Sequence, residues 1–337
     1  MAILEVKDLQ AYYITHKYGR STSVKAVDGV SFQVEKDEIY GIAGESGCGK
    51  STLLKAISGL AKPPLEILAG EVTYNFDGER LDILALNDEK QRRKLRGARI
   101  SLIPQGSMSV LNPVRRIRKS FEDIIRAHLD VSAEEFEEMV RKHLDALGLD
   151  WTVMHTYPHQ LSGGMRQRIT IALSTILKPD IVFADEPTTA LDVVVQRGVV
   201  QLIRKIKEEQ RSTLVLVTHD LSIHAKLCDR LAVMYAGKIV EEGEVESIFS
   251  TPRHPYTRML LNSLPKLGDS SARSSAPGAP PSLVNPPSGC RFHPRCPHSM
   301  ELCRLEVPEL LEVGSGHRVA CFLERRGADA QRQAVGS

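Results

Sequence analysis

No run of apolar residues in this 337-residue sequence approaches the roughly 18 needed to cross a bilayer as a helix. The first residues, Met1-Ala2-Ile3-Leu4-Glu5-Val6, lack the basic start and apolar core of a secretory signal. These absences predict a chain that stays in the cytosol and reaches any membrane task through a partner. Charge of one sign is lacking too: 44 Lys and Arg face 42 Asp and Glu, a formal net charge of +2. Nothing in that balance points to nucleic acid or an anionic membrane surface as the main partner. There is no internal repeat, and the composition, 42% hydrophobic and 26% charged, excludes a disordered, collagen-like or coiled-coil chain. At roughly 150 residues per domain the length allows about two domains.

What is present begins with strands broken by polar residues: Ile3–Val6, Val30–Val34, Ile39–Ala43 and Glu71–Tyr74. Residues 86–100 are rich in Arg and Lys and read mostly as a helix. From about Asn112 to Thr175 apolar residues recur near every 3.6 positions (Phe121, Ile124, Ile125, Leu129; then Phe136, Met139, Val140, Leu144, Leu147), which predicts helices. Two short β-branched runs follow, Ile181–Ala184 and Thr213–Val217, with a helical pattern from Val199 to Lys207 between them. That is a βαβ unit around a buried parallel sheet. Of the 25 residues from Pro265 to Gly289, 15 are Pro, Gly or Ser, the composition of a linker.

Gly44-Glu45-Ser46-Gly47-Cys48-Gly49-Lys50-Ser51 fits G-x-x-x-x-G-K-[ST] at every fixed position, after a strand and before the helical run Thr52–Ile57. Glycines let backbone wrap phosphate oxygens, and N–H groups at a helix start face the anion. Lys50 would reach the β- and γ-phosphates, and the Ser51 hydroxyl would ligate Mg²⁺. Cys48 reads as a small spacer, although the helix start and Lys50 could lower its thiol pKa. Ile181–Ala184 runs into Asp185 and Glu186: Asp185 to hold the Mg²⁺ shell, Glu186 to polarise a water toward the γ-phosphate.

Leu161-Ser162-Gly163-Gly164-Met165-Arg166-Gln167-Arg168, ending 13 residues before Ile181, resembles the signature motif of ATP-binding-cassette (ABC) ATPases. The resemblance implies that Gln105 is the Q-loop glutamine and a further Mg²⁺ donor. It makes Thr189-Ala190-Leu191-Asp192 the D-loop and His219 the switch histidine. Tyr13 becomes the adenine-stacking aromatic, with Tyr12 or Tyr18 as alternatives. Residues 105–107 read Gln-Gly-Ser where the family usually has an acidic residue after the glutamine. The implied fold is α/β: a P-loop, RecA-like nucleotide-binding domain over 1–260 with an antiparallel β subdomain and a helical signature subdomain at about 107–175. Two such domains would close head to tail around two ATPs, with Leu161, Ser162, Gly163, Gly164 and Met165 serving the partner's nucleotide.

Finer marks resemble the ATPases of oligopeptide and dipeptide importers, of the D-type subunit. They are Met108-Ser109-Val110-Leu111-Asn112-Pro113, Tyr157-Pro158-His159-Gln160, His254-Pro255-Tyr256-Thr257 and the tail from Gly289-Cys290-Arg291-Phe292-His293-Pro294-Arg295-Cys296-Pro297 to Cys321. This implies a second related ATPase, two transmembrane permeases and an extracellular substrate-binding protein as partners, no nucleic acid, and a place at the cytoplasmic face of the membrane. The same machinery importing oligosaccharides or nickel chelates, or a soluble non-transport ABC ATPase, is the alternative.

Six cysteines are present, four of them between 290 and 321 in the spacing C-x5-C-x6-C-x17-C, without the C-x2-C pairs of zinc ribbons. After a linker placed at 261–289, Cys290, Cys296, Cys303 and Cys321 define a small module over 290–325, followed by a loose tail, 326–337. Four irregularly spaced thiolates suit an iron–sulfur cluster, and similar tails in the family are associated with [4Fe–4S]. Zinc, with His293, His298 or His317 as ligand, and unmetallated thiols are the alternatives. Cys228, alone on an apolar helical stretch, reads as a buried small residue.

Overall fold

The computed structural model describes residues 1–17, 19–86, 88–106, 110–189, 191–264, 278–314 and 316–324. Tyr18, Met108, Ser109, Ala190, residues 265–277 of the expected linker and the tail therefore lie outside the described residues. The chain opens with two long strands, β1 (Ala2–Lys17) and β2 (Arg20–Glu35), then β3 (Ile39–Ala43) and α1 (Lys50–Ile57). Next come β4 (Leu65–Phe76), β5 (Glu79–Asp82), α2 (Glu89–Leu95) and β6 (Ile100–Ile103). A helical stretch follows: α3 (Ile117–Arg126), α4 (Ala133–Ala146) and α5 (Gly163–Thr175). Strands and helices then alternate through β7 (Ile181–Asp185), α6 (Val193–Gln210), β8 (Thr213–Val217), α7 (Leu221–Leu227), β9 (Arg230–Tyr235) and β10 (Lys238–Glu244). The chain continues with α8 (Val245–Ser250), α9 (Pro255–Asn262), α10 (Glu301–Leu305), β11 (Leu311–Gly314) and β12 (His317–Val319).

The residues group into two compact units. The first comprises 1–3, 35–38 and 74–216. Its strands run in the order β8-β7-β6, with β6 and β7 parallel from Ile100 opposite Ile181 to Ile103 opposite Ala184. The five residues of β7 are all buried, as a continuous apolar run requires of a central strand. Helix α5 lies on this sheet, and its Ser174 hydroxyl donates to the Leu102 carbonyl at 2.9 Å. The span expected to be helical holds separate helices. Helix α3 ends at Arg126, and Leu129 is left exposed. Helix α4 starts anew because Ser132 and Glu135 form a reciprocal capping box. Its Phe136, Val140 and Leu144, four residues apart, are its buried face.

The second unit comprises 4–34, 39–73 and 217–337. It holds most of β2-β1-β4 and a second sheet in the order β11-β12-β10-β9-β3. Strand β3 pairs in parallel with β9, Tyr40 opposite Arg230 and Ala43 opposite Val233. Strand β10 is antiparallel to both β9 and β12, the latter through Glu241 opposite Val319. The rings of Tyr235, Tyr256 and Phe292 form an aromatic cluster, centroids 4.6–5.4 Å apart.

Through Phe292 the segment expected as a cysteine module at 290–325 packs on the rings of β9 and α9. Phe292 is buried, and β12 adds to the sheet carrying β3. The Pro, Gly and Ser content of 278–289 does signal irregular backbone. It carries no information about what the next residues pack on. Even here Leu283 accepts a hydrogen bond from the Lys25 N–H at 2.9 Å.

Candidate nucleotide-binding and hydrolysis site

The phosphate loop joins buried β3 to α1 in the second unit. Its glycines are required by geometry. Gly44 and Gly49 have φ of 151° and 110°, and a Cβ on Gly49 would stand 1.9 Å from the Ala26 carbonyl oxygen. Lys50, buried as the first residue of α1, donates from Nζ to the carbonyls of Gly44 at 2.8 Å and Glu45 at 2.9 Å. The ammonium is thus held over the loop mouth by carbonyls that can exchange it for phosphate oxygens. Thr52 is buried and Ser51 partly so, while Ser46 and Gly47 face solvent. Burial pushes the Cys48 thiol up, outweighing Lys50, so Cys48 is a packed spacer and not a lowered-pKa thiol.

Among the tyrosines, the structure gives Tyr13, the preferred candidate, and its alternative Tyr12 different partners. The Tyr13 hydroxyl lies 3.3 Å from Thr52 Oγ1, beside α1. The Tyr12 hydroxyl is directed to Asp28 instead, and its ring is buried.

His219 stands exposed just after β8, ahead of α7, whose start is capped by Asp220 accepting from the Ser222 N–H at 2.8 Å. Behind it sits a residue the sequence reading missed, His224. Burial lowers its pKa to about 4, so it is neutral, and its Nε2 is 3.2 Å from the Thr218 carbonyl. Its Nδ1 is 3.4 Å from Cys228, buried as expected. Gly41 of β3 makes room for this pair: a Cβ there would meet His224 Nδ1 at 2.6 Å.

In the first unit, β7 delivers buried Asp185 and then Glu186. Glu186 has φ 47°, in the left-handed region that side chains other than glycine rarely occupy. The Thr189 hydroxyl donates to Glu186 Oε2 at 2.6 Å and fixes its carboxylate. Gln105 is exposed just past β6. Leu161 is buried, and Ser162 caps α5 by accepting from the Met165 N–H at 3.2 Å. Asp192 caps α6 in the same way through the Val195 N–H at 2.9 Å. The two helix starts touch: a Cβ on Gly164 would meet Val195 Cγ1 at 2.8 Å. The signature and the D-loop therefore form one packed corner, with Val193 and Val194 exposed beside it.

The four C-terminal cysteines line one cavity with His254, Pro255, Phe292, His293 and Phe322. Burial pushes the thiols of Cys290 up to about 12 and Cys321 to about 11, and raises Cys296. Among the described residues no group of three or more His, Cys, Asp or Glu is arranged to hold a metal ion. A formed [4Fe–4S] or zinc centre, expected at Cys290, Cys296, Cys303 and Cys321, is therefore not shown. His317, a candidate zinc ligand, lies 2.8 Å from Glu241 Oε1 instead.

The motif around these cysteines also carries two side chains with unexpected partners. Arg291 reaches Asp28 and the Ala236 carbonyl. Arg295 forms a two-pronged ion pair with Glu45 of the phosphate loop, at 2.8 and 3.0 Å. Both arginines sit directly beside a cysteine of the set, which was the one signal available in the sequence.

Comparison with known proteins accords with this geometry. Residues 27–189 match the family described as ABC transporter, and residues 240–303 match the oligopeptide/dipeptide transporter C-terminal region. The chain is 40% identical to the dipeptide transport ATP-binding protein DppD of Caldanaerobacter subterraneus, covering 96% of this chain and 98% of that protein. It is 41% identical to the oligopeptide transport ATP-binding protein OppD of Escherichia coli, over 95% and 93% respectively. Among solved structures, the ATP-binding cassette MJ0796, a dimer in a post-hydrolysis state bound to ADP and Pi, superposes with a TM-score of 0.61 at 27% identity. That match covers 72% of this chain and 98% of that one.

Proposed function

The chain belongs to the ABC transporter ATP-binding subunits of the oligopeptide/dipeptide type, and from that premise we propose that it hydrolyses ATP to drive the import of short peptides. The observation that carries this reading is the intact phosphate loop, with Lys50 held at its mouth, in a chain matched end to end by DppD- and OppD-type relatives.

The roles follow from the chemistry of each group. Tyr13 offers a ring for the adenine, with its hydroxyl tied to Thr52. Residues 44–52 surround the phosphates with backbone N–H groups, and Lys50 neutralises the β- and γ-phosphate charge. Glu186, held by Thr189, orients the attacking water and takes its proton, and His219 stabilises the γ-phosphate. The Ser51 hydroxyl, Asp185 carboxylate and Gln105 amide are oxygen donors, the kind Mg²⁺ prefers; the ion supplies charge neutralisation on the phosphates. Ser162, Gly163 and Gly164 present a helix start to the nucleotide of a second cassette. Closure of the two cassettes on ATP, and release after hydrolysis, is the coupling free energy passed on to the permeases.

The partners in this proposal are a second related ATPase, two transmembrane permeases and an extracellular peptide-binding protein. Attachment to the cytoplasmic face in this proposal runs through the permeases; among the described residues no helix is long and apolar enough to cross a membrane. The four thiols at one cavity match a Cys₄ iron–sulfur centre in number and kind. If taken up, a [4Fe–4S] cluster would cross-link the C-terminal segment, and iron and acid-labile sulfide analysis of anaerobically purified protein reads its presence.

The test is reconstitution of the complete transporter in vesicles. ATP hydrolysis should rise when the binding protein is loaded with di- or oligopeptides, and Lys50→Ala should abolish it. ATPase activity unaffected by any peptide, but stimulated by an oligosaccharide or a nickel chelate, would sink the peptide reading.

A further inference from the structure

We infer that Arg295 is a positioning residue of the phosphate loop: through Glu45 it ties the loop's shape, and hence nucleotide affinity, to the C-terminal cysteine segment. The inference rests on reading residues 44–51 as the ATP site.

Glu45 occupies a variable position of the loop motif, so the motif itself assigns it no task. In the structure it is held at three points. Arg295 grips the carboxylate with Nη1 to Oε2 at 2.8 Å and Nη2 to Oε1 at 3.0 Å. The Glu45 N–H donates to the Tyr256 hydroxyl at 2.9 Å. Its carbonyl accepts from Lys50 Nζ at 2.9 Å. The residue that holds the catalytic lysine is thus itself held from the C-terminal side. The Arg295 side chain is 7% exposed, and Nη1 also donates to the Tyr235 hydroxyl at 3.2 Å, so the fork cannot swing away freely. A two-pronged guanidinium–carboxylate pair fixes direction as well as distance.

The cavity lined by the four cysteines connects to this clamp from two walls. One wall carries Cys296, whose neighbour is Arg295; the other carries Pro255, whose neighbour is Tyr256. Each wall therefore sends the adjacent side chain onto Glu45. A parallel link runs from Arg291, beside Cys290, to the Ala236 carbonyl, and the next N–H, of Gly237, donates to the Cys48 carbonyl at 2.8 Å. The motifs around His254 and Cys290 thus meet at the loop, and a change in packing of the thiol cavity is transmitted to Glu45.

The experiment uses the full chain, with affinity for a fluorescent ATP analogue measured in Mg²⁺ and thermal unfolding recorded beside it. Arg295→Ala and Glu45→Gln should each weaken binding about tenfold, the size of one charge-assisted pair. The double variant should be no weaker than either single one, because both remove the same interaction. Arg295→Lys should recover only part, since an ammonium cannot make the fork. In the assembled transporter KM for ATP should rise while kcat changes little. A purely structural arginine would lower the unfolding temperature and give additive effects on affinity. Wild-type affinity in Arg295→Ala or Glu45→Gln, or additive losses in the double variant, overturns the inference. If Arg295→Ala does not fold, Glu45→Gln, which keeps shape and removes only the charge, decides alone. Failure of the wild-type chain to bind the analogue would count against the ATP site itself and not against the clamp.

Discussion

His317 and Glu241 are a buried pair: Nε2 lies 2.8 Å from Oε1, and the carboxylate also accepts the backbone N–H groups of Arg253 at 2.6 Å and His254 at 2.9 Å. Burial alone would raise the Glu241 carboxyl, but these bonds, led by His317, hold it below its ordinary range. The pair fastens β12 to β10 and to the turn entering α9. Its neighbour Glu242 is equally buried and is met by Arg230, Arg318 and the Tyr40 hydroxyl.

Removing the C-terminal segment should therefore damage the cassette itself. His317→Ala leaves a buried carboxylate short of a partner and should cost about 3 kcal/mol of stability. A chain ending before residue 290 should lose more, because Phe292 and both arginines go with it. Urea unfolding of each, compared with the intact chain, checks this. Wild-type stability in the truncated form would restore the idea of an independent module.

Gly164→Ala should separate binding from turnover. Its Cβ would press on Val195 Cγ1 at 2.8 Å and push the signature helix off the start of α6. Overpacking of that kind should slow ATPase activity of the assembled complex about tenfold or more. Binding of a nucleotide analogue by the isolated chain should stay unchanged. An unaltered turnover rate would show that the corner relaxes freely.

Glu186→Gln keeps the shape and the Thr189 contact but removes the base. Steady-state hydrolysis should fall at least about 100-fold with ATP still bound. Single-turnover measurements on the complex separate this from weak binding, and an undiminished rate would remove Glu186 from the role.

Acid should weaken the fold before most carboxylates titrate. Burial lowers His143, His224 and His254 to about 4, from an ordinary 6.5. Between those values the unfolded chain binds protons that the folded chain refuses, so stability is full above pH 6.5 and drops as pH falls toward 4. Each histidine contributes a slope of about 1.4 kcal/mol per pH unit. His254→Asn, which preserves an acceptor for the Tyr256 N–H, should flatten the slope by about one histidine's share. Urea midpoints across a pH series give the answer; an unchanged slope would mean that His254 takes its proton in the folded state.

The phosphate loop and the strand ending in Asp185 and Glu186 were both legible in the sequence. Each is a contiguous stretch whose chemistry and backbone geometry arise from neighbours in the chain. Glycine spacing dictates the loop, and an apolar run dictates β7. The helical pattern over 199–207, which lies inside the helix Val193–Gln210, and the strand over 213–217 were readable for the same reason, as periodicity is a local property.

Tertiary structure alone decided which tyrosine stands beside α1, since Tyr12 and Tyr13 differ in sequence only by one position and in space by the partners Asp28 and Thr52. It alone joined β12 to the sheet carrying β3 and gathered the four thiols around one cavity. The Arg295–Glu45 pair spans 250 residues of chain. Contacts at that separation are set by how the sheet and the aromatic cluster of Tyr235, Tyr256 and Phe292 pack. No pattern within either segment encodes the distance between them.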